Sequence, residues 1–589
     1  MDDAVTSDVD SDPSVPPAKS ALRWWPVAFL LVLMLAVKVS SSFFESPPLS
    51  LMMVSFLGPA VIGLLLVVWW LFASRASVKE KIAGLVGLIV VAVITIALTH
   101  PSMKGMPTAI FQVPVGLAAF GIGAVLFASK PRRRVATALL AAMAGFGFWD
   151  AVQSLGVTGR FAAEFDWRWN PTPEELYLQA LAENPQVNDS PKASDSSAEM
   201  VINRETSQWP DFRGPARDGV VRSVALSTDW KTSPPELVWK RLIGPGWSSF
   251  TVAGDRLFTQ EQRGDDEAIV CMDAKTGDAI WSHTYPGRFY ESIGGAGPRA
   301  TPTIGDGVMF ALGADGQLTS INPVDGKVNW TRQLRDDARR DPPPWGWSSS
   351  PLVAGNVVIV HAGGKGDKGV LAYDITNGDL VWSIASGDHG YSSAQLASFG
   401  GVDGCLMMTN AGLQFIDATD GKLIWNHDWS TDNYRAIQPL VIGNHVLMAT
   451  SLGLGTRCLS VNQDEGQWEI NERWTTRDIK PDFNDFAAYD GYLYGFDANI
   501  LACVDLETGD RKWKKGRYGN GQLLLLQDAG QLLILSERGE LVLVDATPEK
   551  LVERAKFPAI DGKTWNHPVL VGDRVYLRNG REAACYILK

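Results

Sequence analysis

Asp485, beside Asn484 in the run PDFNDF, is the best candidate in this sequence for a chemical base. A carboxylate next to an amide oxygen can take a proton from an alcohol or share a hard cation such as Ca²⁺. Arg299 and Arg435 offer fixed positive charge for an anion. Trp247, Trp347 and Tyr391 each stand next to a serine, and Trp565 directly precedes Asn566 and His567. Aromatic faces edged by hydrogen-bonding groups can hold a small molecule, a sugar or a peptide. The same pattern has a plainer reading, in which the rings pack inside the fold and the polar groups bind channel water.

Other chemistries fall away. The stretch GGKGDKG at 363–369 lacks the spacing and the Lys-Ser/Thr ending of a phosphate loop, and reads as a hairpin tip. The seven histidines show no metal-ligand spacing, and no nucleophile elbow or haem-attachment sequence occurs. The five cysteines are odd in number and far apart in sequence; small buried hydrophobes are expected rather than disulfides or ligands. No residue is assigned a catalytic or metal-binding role.

A repeated phrase must position these groups. CMDAKTGDAIW at 271–281 returns as SINPVDGKVNW, AYDITNGDLVW, FIDATDGKLIW and CVDLETGDRKW, with Asp or Asn always eight residues before Trp. Between these phrases lie eight turns of the Gly-Asp, Gly-Asn or Asp-Gly kind, flanked by alternating apolar residues, which read as hairpins. The fourth-strand anchors are Trp239, Trp281, Trp330, Trp382, Trp425, Trp474, Trp513 and a degenerate position near Val552, 39 to 52 residues apart. Such a period with four short strands per unit predicts a β-propeller. Trp239 marks a lone fourth strand before the first hairpin, and the chain ends on three strands without a fourth. Joined, they complete an eighth blade and close the ring. The expected fold is all-β: eight four-stranded antiparallel blades over 209–589.

Ahead of the propeller, apolar runs near 25–42, 50–73, 82–99, 107–129 and 135–151 predict about five transmembrane helices in a membrane domain at 24–151. Residues 1–23 form a cytoplasmic tail, and 152–208 a short helix followed by a flexible linker. Basic residues gather between the second and third runs (Arg75, Lys79, Lys81) and between the fourth and fifth (Lys130, Arg132, Arg133, Arg134). They place the N-terminus inside the cytoplasmic membrane and, after five crossings, the propeller on the periplasmic side. The first 150 residues carry 11 Lys and Arg against 8 Asp and Glu, leaving 42 against 57 for the remainder, which argues against a nucleic-acid partner.

The phrase resembles the tryptophan-docking repeat of the quinoprotein, or PQQ-like, eight-bladed propellers, over roughly residues 209–589. The resemblance implies the fold. It does not imply an activity, because non-catalytic relatives such as the outer-membrane assembly lipoprotein BamB share the repeat. The adjacent cysteine pair present in many dehydrogenases of that family is absent here, while five apolar spans before a propeller resemble the layout of the membrane-bound quinoprotein glucose dehydrogenases. The expectation is a membrane-anchored, extracytoplasmic, non-catalytic platform for a protein, peptide or glycan, without cofactor. The alternative is a PQQ-dependent dehydrogenase with Ca²⁺ that passes electrons to the membrane.

Overall fold

The computed structural model describes residues 22–44, 49–128, 130–159, 161–183, 201–224, 226–388, 390–450 and 454–588. The chain divides into two compact units, residues 1–155 with 165–170, and residues 156–164 with 171–589. The expected tail at 1–23 lies almost wholly outside the described residues, as does the linker from 184 to 200.

The first unit is a helical bundle of α1 (Trp25–Val39), α2 (Leu49–Val68), α3 (Val78–Leu98), α4 (Val113–Leu126) and α5 (Pro131–Gly147). Among the described residues, four helical stretches are long and apolar enough to cross a membrane: Trp25–Phe43, Ser50–Ala73, Val78–Leu98 and Thr108–Leu126. The sequence led us to expect about five. The difference lies in the last apolar run: α5, of 17 residues, opens on Arg132, Arg133 and Arg134, and the 3₁₀ turn that continues it at Phe148–Ala151 carries Asp150.

The ends of α5 are fixed against α3. At their N-termini Arg134 pairs with Glu80, Nε to Oε1 at 2.8 Å, and Glu80 also closes the Ser77 capping box of α3. Beyond their C-termini the Thr99 hydroxyl bonds the Asp150 carboxylate at 3.0 Å. Between these ends α5 lies against α4 at small residues. A Cβ on Gly116 would fall 2.1 Å from the Phe146 ring, and one on Gly123 2.5 Å from the Thr137 carbonyl. Glycine permits such close helix contact in lipid, where packing rather than water exclusion drives association.

In the second unit the propeller has its expected eight sheets. Blade one comprises Thr251–Ala253, Arg256–Arg263, Asp266–Asp273 and Ala279–Pro286. Blades two to seven follow at 303–333, 352–384, 395–428, 440–476, 487–517 and 522–558. Blade eight joins Val569–Val571, Arg574–Arg578 and Glu582–Ile587 to Glu236–Leu242, with Trp239 opposite Cys585. The two ends of the propeller therefore close one sheet.

The geometry of the repeated phrase explains its residue types. Asp273 Oδ1 accepts the N–H groups of Lys275 and Thr276 at 2.8 and 2.9 Å, capping the turn. Gly277 follows at φ +73°, and a Cβ there would lie 2.6 Å from the ring of Trp239 in the preceding blade. The same Trp239 donates its indole N–H to the Ala274 carbonyl at 3.1 Å. Trp281, Trp330, Trp382, Trp474 and Trp513 make the equivalent bond to the next blade, at 2.9 to 3.2 Å. Trp425 is the exception, its buried Nε1 having no partner. Blade five, which it faces, replaces the phrase with a long hairpin, Gly455–Asp464 and Gln467–Thr476. Trp425 packs instead against Phe415 at 5.3 Å.

The cysteines are free and buried, Cys271 and Cys405 with thiols pushed by burial up to about 12. The expected short helix is α6, Pro173–Glu183, and it opens on a capping box between Thr172 and Glu175. Residues 201–208, read as linker, instead belong to the packed body: the Ile202 carbonyl accepts from Gly307, and Gln208 Oε1 from Gly254.

Candidate functional site

The polar residues that begin the innermost strands form a hydrogen-bonded circle around the channel. Ser249 N–H donates to Thr301 Oγ1 at 3.0 Å, Thr301 N–H to Ser350 Oγ at 3.0 Å, and Ser350 N–H to Ser393 Oγ at 2.9 Å. Tyr391 N–H reaches the Arg435 carbonyl at 2.9 Å. Gln438 N–H then donates to Asp485 Oδ1 at 3.2 Å, Asp485 N–H to Gln522 Oε1 at 3.4 Å, and Gln522 Nε2 to the Trp565 carbonyl at 3.1 Å. Ser249 Oγ closes the circle on the His567 carbonyl at 2.7 Å. Each bond crosses from one blade to the next. Short hydroxyl and amide side chains are needed here because the strand-start backbone is buried and must be paired.

Residues 209–221 fill the channel from the turn side. They precede blade one in sequence yet touch all eight blades. Trp209 bridges Val252 of blade one, and the Pro210 carbonyl accepts from Ile304 of blade two at 2.9 Å. Arg217 donates to Pro351 and Ser350 of blade three at 3.0 and 3.3 Å. The carbonyls of Ala216 and Arg217 accept from Gln395 of blade four and Gln438 of blade five, at 3.0 and 2.7 Å. Arg213 donates to the Phe486 carbonyl of blade six at 2.9 Å, Val220 pairs in parallel with Leu525 of blade seven, and Phe212 meets His567 of blade eight edge-on at 4.8 Å. This plug was not legible as one, since the sequence marks it only as the start of the ordered body. The one signal was its composition, with Asp211, Arg213 and Arg217 within a Pro- and Gly-rich run.

The plug decides what Asp485 can do. Arg213 lies 3.5 Å from Oδ1, which also accepts Gln438 N–H, and His567 Nε2 lies 2.9 Å from Oδ2. Burial alone would raise this carboxyl, but Arg213 and the imidazole N–H outweigh it and hold the pKa below the ordinary value. Burial pushes His567 down, so it is neutral and its Nε2 carries the hydrogen. With both oxygens engaged beside a cation, Asp485 is a weak base and a poor calcium ligand. Asn484 Oδ1 accepts from Asp482 N–H at 3.0 Å, while Asn484 Nδ2 and Asn566 Oδ1 are buried without a partner. Among the described residues no three His, Cys, Asp or Glu side chains converge as a metal site.

The other candidates divide between fold and surface. Arg435 is fully buried, donating to Thr450 Oγ1 and to the carbonyls of Thr409 and Trp429. Trp347 is buried too, its N–H on the Ala362 carbonyl at 3.2 Å. Arg299 is held by Glu291 at 3.0 Å over the Phe289 ring. Asn566 Nδ2 donates to the Ser248 carbonyl at 2.7 Å. What remains on the loop face is two aromatic groups. Trp247, Phe483 and Trp565 pack within 5.0 Å centroid to centroid along the chain of contacts, with the Lys563 ammonium 4.6 Å from Trp565. Trp345, Tyr391 and Tyr434 form the second, with Trp345 only 4.3 Å from Tyr434. Sequence reasoning chose Trp347 where Trp345, two residues earlier in PWGW, is the half-exposed ring. It also missed Glu537 and Lys563, whose loops carry no repeat signal.

One buried acid titrates near neutrality. Glu267 in blade one accepts from Tyr285 at 3.0 Å and from Ala314 N–H at 3.1 Å, and burial pushes its pKa up to about 7. A carboxyl raised on folding favours the native state most below its unfolded pKa of 4.5, and that contribution is lost as pH rises through 7. Denaturant unfolding should therefore weaken by about 3 kcal/mol between pH 4.5 and pH 8 from this group. Glu267→Gln, whose oxygen can still accept from Ala314 N–H while its amide N–H donates to the Tyr285 hydroxyl oxygen, should remove that slope; an unchanged slope contradicts the assignment.

With this geometry in hand, relatives can be compared. The chain is 26% identical over 201 residues to the outer membrane protein assembly factor BamB of Burkholderia pseudomallei (strain K96243). The match takes in 33% of this chain and 48% of that protein, so it spans about half the relative's length. Among solved structures, BamB from Moraxella catarrhalis aligns with a TM-score of 0.43 at 12% identity, covering 60% of this chain and 98% of that one. A quinohemoprotein alcohol dehydrogenase from Pseudomonas putida HK5 aligns with a TM-score of 0.47 at 12% identity, covering 66% and 80%. The family model described as outer membrane protein assembly factor BamB matches residues 217–343 and 339–515, just over half of the chain, and the chain belongs to that family.

Proposed function

We propose that this protein is a membrane-anchored, non-catalytic platform whose propeller holds a protein partner through its loop face, outside the cytoplasmic membrane. The observation that carries the reading is the commitment of the channel to the fold: a circle of inter-blade bonds, a plug touching every blade, and an Asp485 paired to Arg213 and His567. A dehydrogenase of this architecture needs a free carboxylate and several oxygen ligands around a cation and a quinone. The residues present do not fit that pair, and the platform works without either. The aromatic groups on the loop face, partly buried and centred on Trp345 and on Trp565, suit recognition, since tyrosine and tryptophan dominate protein contacts. The relative's name, an assembly factor of the outer membrane, favours an envelope protein as partner.

The placement outside rests on five crossings. α5 with its 3₁₀ turn runs from the level of Glu80 to the level of Thr99, the full height of the spanning helix α3. We therefore count it as the fifth span, which its own length and hydropathy understate. A reporter fused behind residue 588 should be active only outside the membrane; activity only in the cytoplasm contradicts this topology.

The non-catalytic reading is tested by melting the purified chain with and without pyrroloquinoline quinone and Ca²⁺, together with dye reduction on alcohols and sugars. No shift and no turnover are expected. A rise in melting temperature accompanied by turnover that Asp485→Ala abolishes would make the chain a dehydrogenase.

A further inference from the structure

A segment of the chain already occupies part of the loop face. The hairpin of Val152–Val157 and Ala163–Trp167 has its tip, residues 156–164, in the propeller unit. The tip's main chain makes three of the contacts, and the Glu164 carboxylate adds an attraction to the Lys563 ammonium. Val157 N–H donates to the Ile293 carbonyl at 3.4 Å, the Val157 carbonyl accepts from Lys563 Nζ at 3.0 Å, and Gly159 N–H donates to Glu537 Oε1 at 2.5 Å. Glu537 is 8% exposed and is itself fixed by the Trp565 indole N–H at 2.8 Å and by Asn520 N–H at 3.3 Å. Lys563 lies over the rings of Trp565 and Trp247 at 4.6 and 5.5 Å. The fit has no room for side chains at two places. A Cβ on Gly156, whose φ is +98°, would lie 3.0 Å from the Ile293 carbonyl and from Lys563 Nζ, and one on Gly159 would fall 2.3 Å from Asn520 Cγ.

A buried carboxylate and an ammonium thus read one N–H and one C=O two residues apart, against a tryptophan wall, with glycine required at 156 and at 159. Sugars offer hydroxyls in place of this alternation of donor and acceptor. We propose that the Glu537–Lys563–Trp565 corner is a reader of extended, glycine-bearing peptide main chain, that the hairpin tip is its resident occupant, and that a protein partner engages by offering a segment of the same kind in its place. This rests on the platform reading above and adds the class of ligand and a built-in competitor for it.

The test uses the full-length chain in nanodiscs and a fluorescent synthetic peptide of residues 154–166. Wild type should not bind the peptide, because its own tip is tethered at high effective concentration. Gly159→Val should expel the tip against Asn520 and allow saturable binding by fluorescence anisotropy. Adding Lys563→Ala and Glu537→Gln should weaken that binding by about a hundredfold or more, the loss expected for two charge-assisted hydrogen bonds. A peptide that itself carries Gly159→Val should not bind. Failure of the Gly159→Val chain to bind, or equal binding by both peptides, overturns the proposal. Should that variant not fold, Gly159→Cys with Asn520→Cys provides a second arm: a disulfide should form on mild oxidation, and its absence overturns the placement of the tip. If peptide binding fails while photo-cross-linking from position 345 still captures a partner, the peptide inference falls and the platform stands. Loss of both overturns both.

Discussion

Arg217→Ala should destabilise the propeller by about 3 to 5 kcal/mol, the range for breaking a buried ion pair by removing one member. Arg217 donates to Asp211 Oδ1 at 2.7 Å and to two carbonyls of blade three, and both charged side chains are buried to within 1%. Alanine would leave the Asp211 carboxylate with Arg204 alone and orphan the Ser350 carbonyl, while Pro351 keeps only its bond from the Thr303 hydroxyl. Arg217 also stands at φ +55°, a conformation that costs any residue with a Cβ about 1 kcal/mol. Arg217→Gly should therefore be milder than Arg217→Ala by about that amount. Equilibrium unfolding in denaturant, followed by tryptophan fluorescence, measures both. A loss below about 1 kcal/mol for alanine, the value of a surface pair, would mean that the plug is not a structural hub.

Deleting Glu236–Leu242 should have the larger effect. These residues are the outer strand of blade eight, paired with Glu582–Ile587, and Trp239 carries the seam to blade one through Ala274. Loss of one buried tryptophan costs about 3 to 5 kcal/mol by itself. The deletion adds the loss of a whole strand ladder, exposes an edge and opens the ring. The expected result is early, broad unfolding and association between molecules, read by thermal melting and light scattering. Unchanged melting would contradict closure by the two ends of the propeller.

How far these features could be read beforehand depended on whether they repeat. The Asp-to-Trp phrase recurs because every blade solves the same problem, capping a turn at Asp and seating its glycine on the previous tryptophan, so eight blades and their closure were legible. Trp425 marks where a broken repeat breaks its bond. The plug occurs once, has no period, and reaches blades three to eight across more than 100 residues, as between Gln438 and Arg217; nothing local announces it. For the same reason Asp485 looked like a free base, when its partners Arg213 and His567 are remote in sequence. The polar residues were read for ligand binding or channel water, whereas their role as inter-blade fasteners depends on backbone donors that residue types do not reveal. In the membrane unit the run 135–151 was read as a uniform helix, whereas its last turn tightens to 3₁₀ where Asp150 meets Thr99.

Site-specific photo-cross-linking tests the platform most directly. A photoreactive amino acid at position 345 places the probe in the half-exposed Trp345–Tyr391–Tyr434 group of the loop face, and one at position 377 places it at an exposed turn tip on the opposite face. Irradiation of intact cells should give a discrete protein adduct from 345 and none from 377. Adducts from 377 with none from 345, or none from either, would contradict a platform that recognises its partner through the loop face.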